Sequence, residues 1–144
     1  MIRYEHTQRG TVVIVTLVGA AAVCLAVSTA LPAPPYVAPM VFGVFVVCAY
    51  MFSSLTIQIT GRTLRWHFGP GIFRKEIPLS EIQGAEVTET RLVHGWGIHL
   101  TPRGWLYNVS GFQAVAIRLR SGKGFLLGTD EPERLQAAIL RAIT

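Results

Sequence analysis

The feature that most constrains this chain is a long stretch without charge: residues 10–61 contain no Asp, Glu, Lys, Arg or His. Two apolar runs lie within it, at about 11–31 and 36–53, and Pro32-Ala33-Pro34-Pro35 separates them. A bilayer with a hydrocarbon core of about 30 Å needs roughly 20 apolar residues in a helix. Both runs are close to that length, and the prolines cannot continue a helix. The stretch therefore predicts a transmembrane helical hairpin over residues 11–53.

An N-terminal apolar run can also belong to a cleaved signal peptide. Ser28-Thr29-Ala30 resembles a small-residue cleavage site, and the preceding residues are basic. However, the run is longer than the apolar region of about 7–15 residues found in signal peptides, and a second apolar run follows at once. We therefore favour an uncleaved helix over a signal peptide.

The basic residues that flank the predicted hairpin determine its orientation. Arg3 and Arg9 precede the first helix, and Arg62 and Arg65 follow the second. The connector between the helices has no basic residue. The positive-inside rule then places both termini in the cytoplasm. We accordingly expect a multi-pass protein of the cell membrane, in which residues 1–10 form a short cytoplasmic tail and residues 54–144 form a cytoplasmic domain.

The composition supports one small domain beside a membrane segment. Of the 144 residues, 15% are charged, against about 25% in soluble proteins, and the deficit lies in the first third. The net charge of +5 is mild, which fits a surface beside anionic lipid better than a nucleic-acid-binding protein. Both cysteines, Cys24 and Cys48, lie in the apolar runs, so no disulfide framework is expected in the domain.

After Ser53 the apolar residues repeat with a period of two. Leu55, Ile57 and Ile59 alternate with polar residues, and residues 64–68 alternate in the same way after a turn at Gly61. Such alternation is typical of half-buried strands. Further strands are predicted between turns rich in Gly and Pro, at about 72–77, 82–90, 98–101, 105–108, 114–120 and 125–128.

The chain ends in an amphipathic helix. Asp130 is the predicted N-cap, with Glu133 as its reciprocal partner and Pro132 in the first turn. The apolar residues fall on one face at helical spacing: Leu135, Ala138, Ile139, Ala142 and Ile143. We therefore expect about seven antiparallel strands in a partly open barrel, capped by this C-terminal helix.

Several short segments of the domain carry a family resemblance. They are Arg-Trp-His-Phe-Gly-Pro-Gly (65–71), Ile-Pro-Leu-Ser-Glu-Ile (77–82), Gly-Trp-Gly-Ile (95–98), Tyr-Asn-Val-Ser-Gly (107–111) and Leu-Gly-Thr-Asp-Glu-Pro (127–132). With the order of elements, they resemble the bacterial pleckstrin-homology-like (PH-like) domains of small membrane proteins, over about residues 55–143. The resemblance implies this fold and a membrane location, and it implies no agreed activity.

One basic cluster is the candidate binding site: Arg62, Arg65, Arg74 and Lys75. Eukaryotic PH domains bind phosphoinositide head groups through basic residues of the first hairpin, but the turn is much shorter here. A general attraction to anionic lipid is expected to contribute about 1 kcal/mol per basic residue near the surface. The alternative is that these residues only orient the protein in the membrane.

Other residue types give no catalytic or metal signature. His67, His94 and His99 fit no zinc spacing, and Ser110 lies outside a nucleophile elbow. Trp96 and its aromatic neighbours form either a surface or part of the core. We therefore expect no enzyme, metal or cofactor, but a scaffold or protein-interaction module with an unknown protein partner. Anionic-lipid binding is the alternative function.

Overall fold

The structure is a computed structural model that describes residues 1–144. It contains nine β-strands, three α-helices and two single 3₁₀ turns. The helices are α1 (Thr11–Ala30), α2 (Val37–Met51) and α3 (Pro132–Ile143). The strands are β1 (Ile2–Arg9), β2 (Ser54–Thr60), β3 (Thr63–Phe68), β4 (Arg74–Pro78), β5 (Ile82–Glu89), β6 (Gly97–Thr101), β7 (Gly104–Asn108), β8 (Gln113–Leu119) and β9 (Gly124–Gly128).

The uncharged stretch folds into two apolar helices, of which only α1 is long and apolar enough to cross a membrane. It has 20 residues with a mean hydropathy of 2.5. Helix α2 has 15 residues, roughly 22 Å at 1.5 Å per residue. It is shorter than the predicted 36–53 because Tyr36 lies in the turn after the prolines and Phe52 and Ser53 lie in the turn that leads into β2.

The first ten residues differ from the short tail that we expected. Strand β1 pairs antiparallel with β2, and Arg9 lies opposite Ser54 in the register. The Gly10 N–H donates to the Ser53 carbonyl at 2.7 Å. Helices α1 and α2 are therefore an insertion into the connection between two neighbouring strands. The sequence pattern of β1 is hard to recognise because its inward positions include the polar residues His6 and Gln8.

The strands form two sheets around one core. The first has the order β1-β2-β3-β4 and the second β5-β8-β9-β7-β6. The prediction of about seven antiparallel strands is confirmed only in part. There are nine strands, and β7 pairs with β9 in parallel whereas the other strand pairs are antiparallel. The close approach of these strands needs glycine, since a Cβ on Gly104 would lie far inside contact distance of the Gly124 carbonyl.

Helix α3 packs against the core as the amphipathic pattern predicted. Leu135 and Ile139 are fully buried with apolar side chains of both sheets. The predicted N-cap is wrong, because Glu131 is the residue that precedes the helix and it makes no side-chain capping bond. Pro132 fixes the start of the helix, and the Asp130 carboxylate instead contacts His6 of β1 at 2.5 Å.

All strands run between two ends of the domain, which we call the near end and the far end. The near end is where α1 and α2 leave the sheets, and it includes the loops 69–73, 90–96 and 109–112. The far end carries the turns 61–62, 79–81, 102–103 and 120–123. Val13 of α1 belongs to the main core, so the first helix starts in contact with the near end of the domain.

Candidate functional site: a polar groove on the first sheet

A groove of about 660 Å³ lies on strands β2, β3 and β4 and the turn between β3 and β4. We call it the polar groove. Its lining contains no hydrophobic residue: Gln58, Arg65, His67, Pro70, Gly71, Arg74, Lys75 and Glu76. The register explains the grouping, because Gln58, Arg65 and Glu76 are opposite one another on adjacent strands, as are Thr56, His67 and Arg74.

Arg65 and Glu76 form an ion pair across the middle of the groove. The Arg65 Nη2 and Nε atoms donate to Glu76 Oε2 at 2.8 and 3.1 Å. The hydrogen bond from Arg65, with a further one from Thr63, lowers the pKa of the Glu76 carboxyl below its ordinary value. Because both side chains are almost half exposed, solvent screens the pair and its contribution to stability is small.

His67 and Arg74 are opposite each other in the groove, and neither takes part in the Arg65–Glu76 ion pair. The Nδ1 atom of His67 is buried and has no hydrogen-bond partner. Arg74, opposite His67 in the register, is exposed and takes part in no ion pair. Both lie toward the near end, beside Pro70 and Gly71. An anion placed there would meet the exposed Arg74 guanidinium, whereas the unpartnered His67 Nδ1 lies beneath the surface of the groove.

The structure brings three of the four predicted basic residues into this groove. Lys75 lies on the edge strand, and its Nζ is 5.6 Å from the centre of the Tyr107 ring, a distance suited to a cation–π contact. Arg62 is not part of the groove lining. It lies in the far-end turn, separated from Ser54 by the length of β2, roughly 20 Å at about 3.3 Å per residue.

The groove is lined mainly by cationic and hydrogen-bonding side chains. Its lining offers three cationic side chains, one amide and one histidine ring, and its single carboxylate already accepts from Arg65. No Ser or Cys is part of the lining. Across the whole chain, no group of three or more His, Cys, Asp or Glu side chains is arranged to hold a metal ion.

The aromatic residues divide between core and surface. Tyr107 is buried, with Trp66 against it at a ring separation of 5.2 Å. Trp96 is partly buried and donates its indole N–H to the Gly111 carbonyl at 3.1 Å. Trp105 is 48% exposed and Leu100, its partner across β6 and β7, is 70% exposed. Trp105 is two residues before Tyr107 on β7, so it lies on the same side of the strand and closer to the far end.

Two features of the surface were missed by reasoning from the sequence. The first is the part that Gln58, His67 and Glu76 take in the groove. The alternation of β2 and β3 with their short turn would have revealed Gln58 and His67, whereas Glu76 joins them through the register of β4 with β3. The second is a groove of about 520 Å³ on the second sheet, where Arg103, Arg118 and Lys123 line one side. Its parts come from distant turns, and no local pattern brings them together.

No protein-family model, no curated protein and no solved structure matches this chain.

Proposed function

We propose that this chain is a non-enzymatic PH-like domain protein of the cytoplasmic membrane, held there by α1 and α2 with both termini in the cytoplasm. In this proposal the domain serves as a scaffold or protein-interaction module. The observation that carries it is an exposed apolar pair, Leu100 and Trp105, on a domain that is joined to two apolar helices without a linker.

The junction between helices and sheet supports anchoring at a fixed height. Strand β1 ends at Arg9 and β2 starts at Ser54, and these two residues are paired. The segment between them, residues 10–53, therefore leaves the domain and returns to it at one point of the near end. A hairpin that crosses the bilayer twice has this property, and the shorter α2 can be accommodated by local thinning of the bilayer or by its flanking aromatic residues.

The arrangement of layers supports the PH-like part of the proposal. Two sheets enclose one core, and α3 packs against β5 and β8. Strands β2, β3 and β4 form consecutive antiparallel hairpins, as in the first half of a PH domain. The departure from that fold is β9, which lies between β8 and β7 and not at the edge of the second sheet.

The Leu100–Trp105 pair supports a protein partner. Tryptophan is enriched among the residues that dominate binding energy at protein interfaces, and β6, which carries Leu100, is an edge strand. Exposed tryptophan on a far-end face, away from the helices, is available to a cytoplasmic protein. Neither side chain contributes to the domain core, so the fold alone gives no reason for them.

The test is photo-cross-linking in cells from the full-length chain. A photoreactive phenylalanine replaces Trp105 in one variant and Leu140, a 39% exposed residue of α3, in the control. We expect a discrete protein adduct from position 105 that is absent from position 140 and is lost on Leu100→Ser. Adducts only to lipid, no adduct, or the same adducts from both positions would contradict a scaffold role.

The second candidate function, binding of anionic lipid head groups, is favoured by the near-end position of His67 and Arg74 in the polar groove. It predicts that full-length protein in nanodiscs binds soluble anionic head groups in a salt-sensitive manner. Arg74→Gln and Lys75→Gln should weaken this binding. Arg62→Gln is the matched control, since Arg62 lies at the far end, and equal losses from all three variants would contradict a groove-specific site.

A further inference from the structure

The near end exposes apolar side chains that the fold does not cover. Five of them project from its three loops: Ile72, Phe73, Leu92, Val93 and Phe112. We call them the near-end apolar surface. Val93 is 92% exposed, and Leu92 and Ile72 are about 70% exposed. Large apolar residues that are this exposed and grouped at one end of a domain mark a site of contact with a membrane or with another protein.

Hydrogen bonds attach the three loops to one another or to the strands at this end. The Gly69 N–H donates to the Ser54 carbonyl at 2.8 Å, and the Thr90 N–H donates to the Phe112 carbonyl at 2.6 Å. The Gln8 side chain donates to the Ser110 carbonyl at 3.1 Å. Since Gln8 and Ser54 lie directly beside the junctions with α1 and α2, loops 69–73 and 109–112 lie at the point where the helices leave, and loop 90–96 is bonded to the second of these loops.

Aromatic contacts connect this surface to α2. Phe52, the residue after the helix, stacks on Phe73 with ring centres 5.7 Å apart and meets Phe68 edge-on at 5.2 Å. A Cβ on Gly69 would lie 2.7 Å from the carbonyls of Tyr50 and Met51, so the turn between β3 and β4 is pressed against the end of the helix. The apolar surface of the helix therefore continues onto the domain.

The charges of the loops are compatible with a lipid contact. Loops 69–73 and 109–112 contain no charged residue, and loop 90–96 contains only Arg91 and His94 as titratable groups. Arg91 is exposed, and an arginine beside apolar residues can extend its charged head toward phosphates while its methylene stem stays in the apolar layer.

We propose that the near-end apolar surface inserts into the interfacial layer of the bilayer around α1 and α2. The proposal rests on the membrane anchoring proposed above. The lipid bilayer is the expected occupant because the helices leave beside loops 69–73 and 109–112 of this surface and no linker separates them from it. The bilayer then contacts the domain through three loops as well as two helices, which fixes the orientation of the sheets and directs the far end away from the membrane.

The test uses full-length protein in nanodiscs and fluorescence quenching by brominated lipids. The parent carries Trp96→Phe and Trp105→Phe and keeps Trp66, which is 2% exposed in the core, as a constant background. Single tryptophans are then added by Ile72→Trp, Val93→Trp, Leu100→Trp and Val44→Trp. The first two report on the near-end apolar surface, Leu100 is an equally exposed far-end control, and Val44 lies in the middle of α2.

We expect lipids brominated near the head group to remove most of the added emission from positions 72 and 93 and none from position 100. Quenching at position 44 but not at 72 or 93 would overturn the inference and leave the anchoring proposal intact. Absence of quenching at position 44 by lipids brominated deep in their acyl chains would overturn the anchoring proposal itself, because Val44 lies in the middle of α2. Equal quenching at positions 72, 93 and 100 would also overturn the inference, because the contact would not be confined to the near end.

Discussion

The two ends of this domain are built from the same strands and differ in what their loops and turns expose. The near end carries Ile72, Val93 and other exposed apolar side chains around the bases of α1 and α2. The far end carries basic residues in three of its turns: Arg62, Arg103, Arg120 and Lys123. Under the proposed membrane anchoring, the near end meets lipid and the far end meets water.

The same comparison revises how the basic residues are interpreted. From the sequence, positive charge beside the hairpin suggested attraction to anionic lipid. In the structure the turn that carries Arg62 is about as far from the helices as the length of β2 allows, roughly 20 Å. Charge close in sequence to a membrane segment is therefore not necessarily close to the membrane, because a strand carries the chain across the whole domain.

The largest expected effect is on chemical labelling from outside the cell. In a chain with Cys24→Ala and Cys48→Ala, Ala33→Cys places a thiol in the connector between α1 and α2, and Ser121→Cys places one at the far end. A membrane-impermeant maleimide should label position 33 in intact cells and position 121 only after permeabilisation. Labelling of position 121 in intact cells would contradict the proposed orientation.

Glycine substitutions at the two ends should differ strongly in stability. Gly69 has φ +42° and its Cβ would meet two helix carbonyls at 2.7 Å, whereas nothing lies within 4 Å of a Cβ on Gly61. Gly69→Ala should lower the free energy of unfolding by about 2 kcal/mol or more, and Gly61→Ala should change it by less than about 0.5 kcal/mol. Denaturant unfolding in detergent micelles measures both, and equal effects would contradict the tight near-end junction.

Tyr4 of β1 gives a smaller effect that depends on pH. Burial, and secondarily the charge of Glu131, raises its pKa from 10.0 to about 12. Because the folded state favours the neutral phenol, its stabilisation is complete below pH 10 and is lost as the pH rises from 10 to about 12. Absorbance of the phenolate measures the titration, and a pKa near 10 for Tyr4 would contradict its burial in the sheet.

The Tyr4 hydroxyl also offers a substitution that should not destabilise the protein. It is buried and has no hydrogen-bond partner. Tyr4→Phe should leave the free energy of unfolding unchanged or raise it by up to about 1 kcal/mol. A decrease of more than about 1 kcal/mol in the free energy of unfolding would indicate that the hydroxyl has a hydrogen-bond partner.

The smallest effect concerns the Arg65–Glu76 pair between the two ends. Since the pKa of Glu76 is lowered in the folded state, its contribution is present above the ordinary glutamate pKa and is lost as the pH falls through the lowered value. Arg65→Gln should move the pKa of Glu76 back toward its ordinary range, as measured by NMR of the carboxyl carbon. An unchanged pKa would show that Arg65 is not the main cause.

The local elements could be predicted from the sequence where the burial pattern is regular. In β2 and β3, apolar and polar residues alternate along the strand, and in α3 the buried residues follow helical spacing. The positions of these elements therefore agree with the prediction to within a few residues. Helix α1 is predictable for another reason: it is apolar on every side, so the length of the continuous apolar run indicates the helix without any periodic pattern.

What could not be predicted depends on pairing over long distances. Strand β1 has a polar sequence, and its position becomes evident only through its register with β2, more than forty residues later. The insertion of β9 between β8 and β7 depends on the close approach of Gly104 and Gly124, which no local pattern encodes. The polar groove was predicted in part. Arg65, Arg74 and Lys75 lie on the adjacent strands β3 and β4, whereas Arg62 lies in the far-end turn between β2 and β3.

The central claim is that α1 and α2 are inserted into the turn of a β-hairpin formed by β1 and β2. The direct test replaces residues 10–53 by an Asn-Gly dipeptide, a sequence that favours two-residue hairpin turns, and compares this chain with one that starts at Ser54. We predict cooperative urea unfolding of the first chain and loss of most of that stability in the second. Equal stability of the two chains, or failure of both to fold, would contradict the claim.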